Sequence, residues 1–129
     1  MRELDGPAGW TRFARQINDP VSRLDRYEPA LNAAETGDER DTTSPEAMRC
    51  NIEKILTGNV LSRPSRQRLT HWMRNAPLTS SLIQSELGRT ADVYDKSGAG
   101  AYGTRGDIGF VNFRDGRMMS VAIYLQARR

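Results

Sequence analysis

The sequence predicts an α/β protein of the α+β kind, with a helical part over residues 1–88 and an antiparallel sheet over residues 89–129 of one domain. Three observations carry this. Apolar residues recur at helical spacing as far as Leu87. From residue 91 the period becomes that of extended chain, and Asp115-Gly116 between the last two extended runs reads as a tight turn. A chain of 129 residues is also large enough to bury roughly two thirds of its unfolded surface in one domain.

Each element has its own signal. Pro7 opens a helix whose apolar residues are Trp10, Phe13, Ala14 and Ile17, and Asn18-Asp19-Pro20 ends it. Residues 21–43 show neither periodicity and read as a long structured loop. Ser44-Pro45-Glu46 is a cap, a first-turn proline and an early acid, launching a helix to about Gly58 with Met48, Ile52, Ile55 and Leu56 inward. A third helix starts at Ser62, with Leu69, Trp72 and Met73 inward, and stops before Pro77. A short helix from Thr79 to Leu87 follows. Residues 91–97, 105–113 and 119–126 read as three strands, the last two forming a hairpin.

Composition excludes several classes. The net charge is +3 and the pI about 9.4, yet the basic residues are scattered among 16 acids without forming a stripe, which argues against a nucleic-acid partner. No apolar run approaches the ~20 residues that cross a bilayer, and no basic segment followed by an apolar core marks a secretory signal in this chain. Cys50 is the single cysteine, so an internal disulfide is impossible; it reads as a small, partly buried side chain. His71 is the single histidine and reads as structural, and no metal or cofactor is expected.

Residues 95–106, "DKSGAGAYGTRG", admit three readings. Gly98, Gly100 and Gly103 fit a dinucleotide loop, but such a loop leads into a helix whose N-terminus holds the pyrophosphate, and here a strand follows. Arg105-Gly106-Asp107 is a chance match to an adhesion tripeptide. Lys96-Ser97-Gly98 remains, as the cationic edge of an acyl-transfer site at the end of one strand.

The long loop holds "RLDRYEPALN". Glu28 precedes proline, so its backbone is pushed toward extended geometry, and its bond to Pro29 is open to the cis form. If the turn after it is helical, Asn32 projects to the same side as Glu28. A carboxylate beside a side-chain amide can hold and deprotonate a water. The other reading is a solvated acid and a loop-capping asparagine. Residues 26–41 have the upper size of a compact Ω-loop, whose neck an Arg26–Asp41 ion pair would close.

Taken together, "RLDRYEPALN", "GDERDTT" and "DKSGAGAYGTRG" resemble the C-terminal part of a class A serine β-lactamase. The resemblance runs from "GPAGWTRFARQI" through "SRQRLTHWM" to "FRDGRMMSVAIYL". It implies the partial β-lactamase or penicillin-binding transpeptidase-like fold, with a β-lactam as substrate. Glu28 would be the general base for the deacylating water, and Asn32 would help hold that water. Arg26 and Asp41 would form the neck salt bridge. Lys96 and Ser97 would bind the substrate carboxylate, Gly98 would permit close approach, and the Ala99 N–H would serve the oxyanion hole. Arg105 would add a second positive charge. The full-length family implies a periplasmic or secreted location.

There are departures. No Ser-x-x-Lys and no Ser-Asp-Asn occurs in the chain, so the nucleophile is expected from a missing N-terminal part or a complementing chain, and the isolated chain is expected to be inactive. Asp5 stands where the family usually has glycine, and Asp92 where an apolar residue is expected. The competing reading is a non-catalytic remnant or scaffold of the same fold. A penicillin-binding peptidase would share Lys-Ser-Gly but would have no reason to keep the Glu28/Asn32 pair.

Overall fold

The computed structural model describes residues 5–77 and 82–127. Its elements are α1 (Gly6–Gln16), a 3₁₀ turn (Ala30–Asn32), α2 (Pro45–Thr57), α3 (Arg63–Arg74), α4 (Ile83–Leu87), β1 (Ala91–Ala99), β2 (Arg105–Phe113) and β3 (Met118–Leu125). The strands form one antiparallel sheet in the order β1-β2-β3. The expected order of helices and strands is therefore present. Of the expected helix over 79–87, residues 79–81 lie outside the described residues, and α4 begins at Ile83.

Local chemistry sets the ends. The Ser44 hydroxyl accepts the Ala47 N–H at 3.1 Å to open α2, and Ser62 accepts the Ser65 N–H at 3.4 Å to open α3. Asn18, at φ 61°, turns the chain out of α1. Between β2 and β3, Gly116 takes φ 88°, and the Asp115 carboxylate accepts the Arg117 N–H at 3.1 Å.

The sheet has a core on each face, and β2 carries both. Phe110 packs with Ile52 and Leu56 of α2 and Met73 of α3. Val111, fully buried, packs with Ala91 and Val93 and is covered by Ile83 and Leu87 of α4. Burying each large apolar side chain contributes about 1.5–3 kcal/mol, so these two clusters fix the register of the Lys-Ser-Gly strand. On β3 the side chains of Met118, Ile123 and Leu125 remain exposed.

Trp72 departs from expectation. It is 61% exposed, because α3 turns Leu69 and Met73 toward the sheet and the residue beside Met73 is rotated about 100° away. Asp92, expected to be apolar, is an exposed residue of β1, and the Arg74 guanidinium pairs with it at 2.6 Å and also stacks over Tyr94. Asp5 adopts φ 59°, a left-handed conformation in which glycine is more at ease.

Candidate active site

The loop between α1 and α2 is anchored at its root. The buried Asp19 carboxylate accepts N–H groups from Val21 and Ser22, and Asn51 of α2 donates to it at 2.6 Å. Burial works to raise the Asp19 carboxyl, but the Ser22, Asn51 and Val21 hydrogen bonds outweigh it and lower it to about 2. Ser22 is fully buried, and its hydroxyl meets the Thr43 hydroxyl at 2.6 Å, tying the loop's entry to its exit.

The neck closes as the sequence suggested. Arg26 Nε lies 2.5 Å from Asp41 Oδ2, and the other Asp41 oxygen accepts the backbone N–H groups of Asp25 and Arg26. The Asp41 carboxylate is 2% exposed. Burial pushes it up, and the Asp25 amide together with the Arg26 side chain and amide reverse the direction and hold it below the usual carboxylate range. Arg26 also reaches Asp38 at 3.6 Å, and the Arg40 side chain, the largest influence on Asp38, holds that carboxyl well down.

Within the loop the Glu28–Pro29 peptide bond is cis, and a 3₁₀ turn follows it. The Asn32 side-chain amide donates to Glu28 Oε2, and the Asn32 carbonyl accepts the Ala101 N–H at 2.9 Å. The turn after β1 is thereby joined to the loop. A Cβ on Gly100 would lie 3.3 Å from the Asn32 carbonyl oxygen, so a glycine suits this close approach.

Between loop and sheet lies an open cleft of about 730 Å³, lined on one side by Asn32, Ala34 and the loop beyond it and on the other by Lys96, Ser97, Gly98, Ala99 and Gly100. The Lys96 ammonium rests on the Ser97 carbonyl at 2.7 Å. A Cβ on Gly98 would meet nothing within 4 Å, so this strand edge faces free space. Arg105 lies opposite Ala99 across the β1–β2 ladder, but its guanidinium bonds the Thr104 carbonyl and does not line the cleft. Glu28 is exposed and connects to the cleft through Asn32.

Other residues were not legible. Gln126, just past β3, lines the cleft and donates to the Ala34 carbonyl at 3.3 Å, and Thr104 and Tyr124 line it too. Gln126 lies outside the stretches quoted above, and Thr104 and Tyr124 lie inside them without an assigned role. Cys50 is half-buried on α2 and donates to Glu46 at 3.3 Å, a bond that raises its thiol. His71 is exposed beside Asn75. Among the described residues no group of three or more His, Cys, Asp or Glu could hold a metal.

A neck-closed loop carrying a carboxylate–amide pair thus stands across one cleft from a Lys-Ser-Gly strand. The chain belongs to the β-lactamase enzyme family, whose model matches residues 7–129. It is 43% identical over 117 residues to a β-lactamase of Streptomyces cellulosae, covering 90% of this chain and 38% of that protein. It is 42% identical over 125 residues to β-lactamase CARB-3 of Pseudomonas aeruginosa, covering 97% of this chain and 43% of that protein. The fold matches the chromosome-encoded β-lactamase of Vibrio parahaemolyticus with a TM-score of 0.92 at 39% identity, covering 97% of this chain and 48% of that one. An ancestral class A β-lactamase matches with a TM-score of 0.94 at 39% identity, covering 99% and 49%. The chain thus spans less than half the length of each of these relatives.

Proposed function

We propose that this chain is the water-activating half of a serine β-lactamase that hydrolyses the lactam amide of penicillin- or cephalosporin-type antibiotics. The supporting observation is Asn32: its side chain holds the Glu28 carboxylate, its carbonyl takes the Ala101 N–H, and it lines one cleft with the Lys-Ser-Gly strand. Catalysis has two steps. A serine hydroxyl attacks the lactam carbonyl and the C–N bond opens, leaving an ester on the serine and the proton on the lactam nitrogen. Water then attacks the ester, giving its proton to Glu28 while Asn32 holds the water's oxygen, and the serine oxygen leaves with a proton.

Binding follows from the other wall. Lys96 and Ser97 hold the substrate carboxylate, Arg105 swings from Thr104 to add a second charge, and the Ala99 N–H donates to the developing oxyanion. The serine with its Ser-x-x-Lys partner, and the Ser-Asp-Asn, come from a segment outside this sequence, in the same polypeptide or a complementing one. The working protein is periplasmic or secreted.

The test is hydrolysis of a chromogenic cephalosporin. The 129-residue chain alone should give the buffer rate, and adding the segment that precedes the matched region in a class A relative should give turnover. Turnover by the chain alone overturns the division of labour, and none in the folded mixture leaves a non-catalytic remnant of the fold.

A further inference from the structure

Three segments meet at one end of the cleft: the long loop at residues 32–34, the turn after β1 and the chain leaving β3. The Ala101 N–H reaches the Asn32 carbonyl at 2.9 Å, and two residues further along the loop the Gln126 side-chain amide donates to the Ala34 carbonyl at 3.3 Å. A Cβ on Gly103 would lie 3.1 Å from the Ala127 Cβ, so the chain after β3 also runs against the turn after β1. Gln126 itself follows Leu125, which the register sets opposite Arg105. The sheet end thus grips the loop through a main-chain amide and through a side chain.

The second grip falls on a residue that needs it. Ala34 takes φ 49°, a left-handed conformation that an alanine adopts against the crowding of its own Cβ. Such a residue stays in place only when its surroundings hold it. Its carbonyl is where Gln126 bonds, and Asn32, which holds Glu28, lies two residues back. Asn32, Ala34 and Gln126 line the same cleft as Lys96, Ser97 and Ala99. Without the Gln126 bond, the loop turns on the Ala101 bond as a pivot and shifts relative to the Lys-Ser-Gly edge. A shift of that kind is costly to a chemical step, because reacting atoms must be held about 3–3.5 Å apart and aligned.

We propose that Gln126 is a positioning residue that sets the distance between the Glu28–Asn32 pair and the Lys-Ser-Gly strand, and so governs ester hydrolysis rather than ester formation. This rests on the reading of Glu28 as the deacylating base. In that reading the ester forms between groups on the serine's segment and on the strand, whereas the water arrives from the loop. A displaced loop therefore slows the second step alone. Gln126 acts through Ala34 and Asn32 and takes no part in the proton transfers.

Two substitutions separate the donor from the bulk of the side chain. Gln126→Glu keeps the length but presents only acceptor oxygens to the Ala34 carbonyl at neutral pH, whereas Gln126→Lys keeps a donor. In the completed enzyme, acylation by a penicillin and clearance of the ester are timed separately by intact-protein mass spectrometry. Gln126→Glu should clear the ester about 3- to 10-fold more slowly, the effect of one neutral hydrogen bond, and acylate at the parent rate. Gln126→Lys should restore most of the clearance. Parental clearance in Gln126→Glu, or equal slowing of both steps, overturns the proposal.

Glu28→Gln, run alongside, separates the two claims. If it traps the ester while Gln126→Glu clears normally, the positioning role falls and the base stands; if it clears freely, both fall. Amide hydrogen exchange on the 129-residue chain tests the grip without any catalysis. The Ala101 N–H should exchange faster in Gln126→Glu than in the parent, while the N–H of Val111 in the central strand keeps its protection. Unchanged exchange at Ala101 means that Gln126 does not hold the loop, and the proposal is then wrong.

Discussion

Asn32 and Ala101 are joined by a 2.9 Å hydrogen bond from the Ala101 N–H to the Asn32 carbonyl, between the long loop and the turn that follows β1. Because the same Asn32 holds Glu28 through its side chain, the position of the carboxylate is set by the sheet as well as by the loop. Loop integrity should therefore govern the site, and the stabilities of neck and root can be measured separately.

At the neck, Arg26→Ala removes the cation from an Asp41 carboxylate that is 2% exposed. The expected loss is about 1.5–3 kcal/mol, the range for hydrogen bonds to charged groups. Arg23→Ala, which breaks the more exposed Arg23–Asp25 pair, should cost clearly less. Denaturant midpoints of the two variants check the contrast; equal losses would mean that burial of Asp41 is not what gives the neck its strength.

At the root, Asp19 has its carboxyl lowered from 3.8 to about 2, so its contribution is fully present above the unfolded value and disappears as pH falls toward the folded one. That shift corresponds to about 2 kcal/mol. Asn51→Ala deletes one donor and raises the folded value, so the loss of stability in acid should begin at the same pH, end at a higher pH and have a smaller amplitude. A pH series of unfolding midpoints for parent and variant checks this, and superimposable acid limbs would remove Asn51 from the account.

In an enzyme completed by the segment carrying the serine, Arg105→Ala should weaken recognition of the substrate carboxylate by about 1.5–3 kcal/mol. On a substrate without that carboxylate the same change should have little effect. Equal losses on both substrates would mean that Arg105 supports β2 and does not bind substrate.

Much of this was legible because short-range chemistry decides it. Ser44-Pro45 and Asp115-Gly116 mark their elements by capping and turn geometry that need no distant partner. Loop spacing allowed the Glu28–Asn32 and Arg26–Asp41 contacts, but choosing them over a solvated acid and a loop-capping asparagine rested on the resemblance. Trp72 misled because helical spacing does not say where an apolar stripe stops; which of two neighbouring residues faces the sheet depends on α3's docking angle. Asn51 and Gln126 were invisible for the same reason. Their partners lie far away in sequence, and only tertiary register makes them neighbours.

The most direct measurement of the central claim is the fate of the acyl-enzyme in the completed protein carrying Glu28→Gln. The amide keeps the shape and the Asn32 contact but cannot take the water's proton. General-base contributions are typically ~10²–10⁴-fold, enough for the ester to accumulate. Intact-protein mass spectrometry after brief exposure to a penicillin should show the adduct persisting in the variant and clearing in the parent. A variant that clears the adduct as fast as the parent, or never forms it, would contradict the assignment of Glu28 as the deacylating base.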